Sequence, residues 1–135
     1  MFTVPLEFAT DYIASSIPNA VQWESADETV RQQFLNAAAF VINKAFQFVD
    51  DFSLNTPDDL KIAVCFQTVW MMRYPDRFPE ALTKGLSNAS AGALSAAFSK
   101  DFVAPMVCDD AILAVGSYGE YIFQTNSIKS HLLGI

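Results

Sequence analysis

Positive charge is scarce in this sequence. Lys and Arg number 8 against 15 Asp and Glu, a net charge of −7 at pH 7. A chain that clings to phosphate backbones carries a cationic surplus. Tight, non-specific DNA binding by the whole surface is therefore disfavoured. Passage of DNA along a smooth acidic channel is not. Histidine is nearly absent: the single His131 lies near the C-terminal end. The two cysteines, Cys65 and Cys108, stand in no metal or redox spacing. A zinc site is not expected, while one bridge between the two stays open. No run of 18 apolar residues exists, so no membrane span is expected. Met1 to Pro5 shows neither a basic start nor a long apolar run, which reads as no signal peptide and a reducing cytoplasm. P-loop, dinucleotide-binding glycines, nucleophile elbow and Ser/His/Asp or Cys/His arrangements are all missing. Neither an enzyme nor a cofactor is expected.

Apolar side chains are what the sequence has in abundance. Of its 135 residues 52% are hydrophobic, with 12 Phe, 4 Tyr and 2 Trp, and only 17% are charged. This excludes a disordered chain. The length fits one domain that buries about two-thirds of its unfolded surface. So low a charged fraction hints that one copy prefers not to stay alone in water.

Helical signals dominate. Thr3 to Ser16 reads as a short helix, with Pro5 and Glu7 suited to its first turn and Ile17-Pro18-Asn19 breaking it. Ser25-Ala-Asp-Glu28 reads as a capping box, with Trp23 packing back just outside it. The helix it opens runs to about Val49, with Val30, Phe34, Val41, Ala45 and Phe48 on one face. Thr56-Pro57-Asp58-Asp59 opens the next, whose stripe is Leu60, Val64, Cys65, Thr68, Met71 and Met72 and whose end falls near Arg73, before Tyr74-Pro75. The two form a helical hairpin, and Trp70 is assigned to the core. Gly85 to Ser99 carries no charge and reads as an extended, adaptable loop or hairpin. A last short helix starts near Pro105 to Asp110 and is ended by Gly116 and Gly119. The expected fold is all-α, a small helical bundle over residues 1–120, with a C-terminal tail over 121–135 that wants a partner.

Three constellations need weighing. The acid pairs Asp50-Asp51, Asp58-Asp59 and Asp109-Asp110 would need to converge to hold a metal or catalyse. Helix starts account for the last two. Asp50-Asp51, placed at a helix end, calls for solvent or a positive partner. Phe46, Phe48 and Phe52 could stack bases, but only Lys44 is nearby, and packing is the stronger reading. Arg73 and Arg77 form the densest cationic patch, suited to a phosphate, a partner's acid or the last helix carbonyls.

The layout resembles a known family. Its carriers are the lead Trp23-Glu-Ser25-Ala-Asp-Glu-Thr-Val-Arg31, the run Phe34-Leu35-Asn-Ala37-Ala38-Ala-Phe40-Val41-Ile42 closing in Phe46-Gln-Phe48, and Pro57-x-x-Leu60-x-x-Ala63. The stretch Ser90 to Phe98 and a short Leu113-to-Tyr118 finish complete it. Over residues 3 to 120 this is similar to the small head–tail connector (adaptor or head-completion) proteins of tailed bacteriophages, and to phage proteins labelled DnaT-like single-strand-binding proteins. The tryptophan-rich link of that family between its second and third helices is missing, and the net charge departs from the DnaT-like label. The resemblance implies a structural virion protein at the neck, made in the bacterial cytoplasm. It implies a ring, typically twelvefold, that extends the DNA channel, joins portal protein to the next neck or tail protein and lets DNA pass without specific binding. On that reading Arg73, Arg77, Phe98, Phe123, Ile128, Leu132 and Leu133 are partner contacts, with 121–135 a docking arm. Asp50, Asp51, Asp109 and Asp110 are the candidate channel-facing acids. A protein-binding helical scaffold or a single-stranded-DNA-binding phage protein is the alternative.

Overall fold

The computed structural model describes residues 1–77 and 107–122. Helix α1, Leu6–Ser16, starts after Pro5, carries Glu7 in its first turn and buries Ala9 and Ile13. Ile17 and Pro18 stop it, and Asn19 turns the chain at φ 59°. The short α2, Val21–Ser25, exists to bury Trp23.

Helix α3 is Glu28–Ala45, and its cap is not the expected one. Asp27 Oδ1 accepts the Val30 N–H at 2.9 Å. The Ser25 hydroxyl instead donates backward to the Val21 carbonyl, at 2.9 Å. Ser25 closes α2, and so cannot open α3. The expected face of α3 is also too narrow. Its C-terminal half is buried almost all round, from Leu35 and Ala37 through Ile42 to Ala45, while Val30 and Phe34 are half-buried.

The long helix stops four residues short of Val49. Phe46–Phe48 is instead a strand, β1. It pairs antiparallel with β2, Gly119–Tyr121, in the register Phe46 to Tyr121, Gln47 to Glu120 and Phe48 to Gly119. The pairing is prolonged at both ends, Ile122 N–H to Ala45 O at 2.9 Å and Val49 N–H to Tyr118 O at 3.0 Å. The fold is mostly helical, as expected, with this small sheet added. Tyr121 and Ile122, assigned above to the tail, are therefore bound to β1, and Tyr121 is buried.

Helix α4, Asp58–Arg73, is central: it packs on α1, α2, α3 and the last helix. All six residues of its expected stripe are buried. A helix apolar on most sides belongs inside. Helix α5, Asp109–Val115, carries Asp109 and Asp110 in its first turn and ends at Gly116, whose φ of 54° favours glycine. The fully buried Gln67 of α4 accepts the Cys108 N–H at 3.0 Å, which satisfies one donor at the start of α5. No helix among the described residues is long and apolar enough to cross a membrane.

Candidate functional site

Phe46, Phe48 and Phe52 belong to one aromatic seam. Phe2 meets Phe48 edge-on at 5.4 Å, Phe46 lies 5.2 Å from Tyr121, and Phe52 meets Tyr118 at 5.5 Å. Edge-to-face pairs at such distances stabilise beyond their area. Each of these rings contacts another ring of the seam, which supports packing rather than base stacking. Asn43 secures the same seam by accepting the Phe2 N–H and donating to the Phe2 carbonyl.

Four cations, Arg31, Lys44, Lys61 and Arg73, are engaged. Arg31 Nε donates to the Trp23 carbonyl at 2.8 Å, with its guanidinium carbon 5.1 Å from the indole centre. Lys44 stands over Phe40, while Lys61 stands over Phe8 and pairs with Asp58 at 3.6 Å. Arg73, exposed at the end of α4, donates to the Asn19 carbonyl at 3.3 Å, so it meets the α1–α2 turn and not its own helix carbonyls. Arg77 closes the 3-10 turn Pro75–Arg77.

Every acid among the described residues is exposed. Asp109 and Asp110 stand at a helix start, as expected. Asp50 and Asp51 do not end a helix, because α3 has already given way to β1. They lie in the turn after the strand. Asp50 Oδ1 accepts the Asp51 N–H at 2.7 Å. Asp51 accepts the Ser53 N–H at 3.1 Å and the Met1 ammonium at 3.3 Å. Its Ser53 partner, with the ammonium adding, holds the Asp51 carboxyl below the usual range. No group of three or more His, Cys, Asp or Glu among the described residues could hold a metal ion.

Arg73 and Asp110 meet in one place. A groove of about 540 Å³ runs between the α1–α2 turn, α4 and the start of α5. Phe66, Val69 and Trp70 line it, with Arg73, Asp110 and the exposed Val21. Trp70 is thus half-buried rather than wholly in the core. The sequence signal existed: Phe66, Trp70 and Arg73 follow at spacings of four and three, a second stripe beside the buried one. A second cleft, of about 460 Å³, places Asp50 and Asp51 beside Lys44, Asn43 and Phe48. The acid pairs 50–51 and 109–110 thus border different clefts. Phe98, Phe123, Ile128, Leu132 and Leu133, and the 85–99 loop, lie outside the described residues.

Cys65 and Cys108 are free thiols. Burial pushes their pKa values up to about 12 and about 11. A thiol so held is a poor nucleophile. Compared with family models, curated proteins and solved structures, the chain matches none.

Proposed function

We propose that the chain is a structural subunit of a tailed-phage neck, forming a ring between portal and tail through which DNA passes. The observation that carries this reading is the disposition of charge. Arg31, Lys44, Lys61 and Arg73 each lie against a carbonyl, a carboxylate or an aromatic ring, while the acids point to solvent. Such a surface repels a polyanion and does not grip it. Of the candidate acids, all exposed, Asp50 and Asp51 line one cleft and Asp110 the other, which leaves Asp109 the most open to a channel. The same charge pattern weighs against the single-strand-binding alternative, which needs a cationic groove beside its stacking rings. The Phe66–Trp70 groove also suits a protein-binding scaffold, the second reading.

The test is to mix the full chain with portal-bearing, tail-less heads and view the vertex by electron microscopy. A closed ring with a central hole is expected below the portal. Heads that acquire no added density overturn the reading.

A further inference from the structure

The turn between β1 and α4 ends in a projecting apolar knob. Leu54 is 100% exposed, yet the turn that bears it is built firmly. Thr56 Oγ1 donates to the Phe52 carbonyl at 2.6 Å, Ser53 N–H reaches Asp51, and the Phe52 ring stands edge-on to Phe48 and Tyr118. A leucine wholly in water on a pinned turn loses little freedom when it docks. At the other end of the molecule lies the groove of Phe66, Val69, Trp70 and Val21. Its volume falls within the roughly 300–1,000 Å³ of ordinary binding pockets.

Knob and groove sit at opposite ends of α4. The knob precedes its first residue, Asp58, and Arg73 is its last. Along α4 about 12 Å separates Asp58 from Phe66, where the groove begins, and about 22 Å separates it from Arg73, on the side away from the knob. One copy's knob cannot reach its own groove, but it can reach that of a neighbour. Charge sets the direction. The turn carries Asp50 and Asp51 before Leu54 in the chain and the neutral Asn55 after it. The groove has Arg73 at one end and Asp110 on its α5 wall. Asp50 of the turn and Arg73 of the groove are both exposed and opposite in charge, so their pairing across the contact is favourable.

We propose that the groove at Phe66, Trp70 and Arg73 receives the Leu54 turn of a second copy of this chain. This rests on the ring reading and supplies its subunit contact. The contact is heterologous, head to tail, and such contacts close into rings where the rotation allows.

Heterology makes the test sharp. Leu54→Asp spoils only the knob, and Arg73→Glu spoils only the groove. Both residues are exposed, so both variants should keep the wild-type far-UV circular dichroism. Native mass spectrometry over a concentration series is the readout. The wild type is expected to assemble beyond the dimer, and each variant alone to lose assembly. An equal mixture should form a dimer that grows no further, because one intact contact remains between unlike chains. Leu54→Asp that assembles like wild type, a mixture that stays monomeric, or a wild type monomeric at every concentration overturns the contact. The ring reading stands or falls separately, on the density below the portal.

Discussion

A Cβ on Gly119 would stand 2.7 Å from Cδ1 of Phe48 and 3.3 Å from the Gln47 carbonyl oxygen. The Phe48 ring or the strand must shift to admit it, so Gly119→Ala should cost about 1–3 kcal/mol in urea unfolding. Phe46 is buried against Tyr121, and Phe46→Ala should cost about 3–5 kcal/mol. Phe48 is only half-buried, so Phe48→Ala should cost clearly less; equal losses would contradict this packing. Cys65 carries a pKa raised to about 12 by burial, above its unfolded value. The folded state therefore keeps the proton longer than the unfolded state does. This contribution is whole below about pH 9 and is lost as pH rises toward 12. Thiol labelling at pH 8 should leave Cys65 unmodified until the chain unfolds.

Helix starts and stops were readable because their signals are local. Pro57 with Asp58 and Asp59, or Tyr74 before Pro75, needs no distant partner to act. The cap of α3 shows where locality misleads. Ser25 and Asp27 both offer an oxygen, and the short α2, held by buried Trp23, takes the serine for itself. Asp27→Ala should then cost about 1 kcal/mol in thermal unfolding, while Ser25→Ala, beside it, should cost far less. The reverse order would restore the capping box. The sheet was illegible for the opposite reason. Phe46-Gln47-Phe48 alternates as a strand does, but three residues continue the apolar stripe of α3 equally well, and only pairing with Gly119–Tyr121 decides. The groove was half legible. Arg73 stands out by charge, whereas Trp70 reads as core and Phe66 carries no signal of its own, since one helix cannot reveal which apolar stripe its neighbours cover.

At the scale of the molecule, Arg31, Lys44, Lys61 and Arg73, engaged by carbonyls, a carboxylate and rings among exposed acids, leave little in the described residues for a polyanion to hold. A single-strand DNA titration at two salt concentrations should show no salt-dependent binding; affinity that falls steeply with salt would favour the stacking alternative. The join between β1 and β2 also relocates the start of any docking arm. A chain cut after Ile122 should keep the full helical signal and lose only tail-mediated attachment. One cut after Glu120 forfeits Tyr121 and the Ile122-to-Ala45 hydrogen bond, and should unfold more readily. That same join bears on how the molecule comes into being. Phe46 meets Tyr121 only after the intervening chain has been laid down, and long closures are made late because their entropy is spent before any contact rewards it. While the nascent chain awaits β2, the edge of β1 and the flank of Phe48 stand open. Synthesis that halts before Gly119 would release a helical fragment with a bare aromatic strand, the sort of surface that chaperones and proteases recognise.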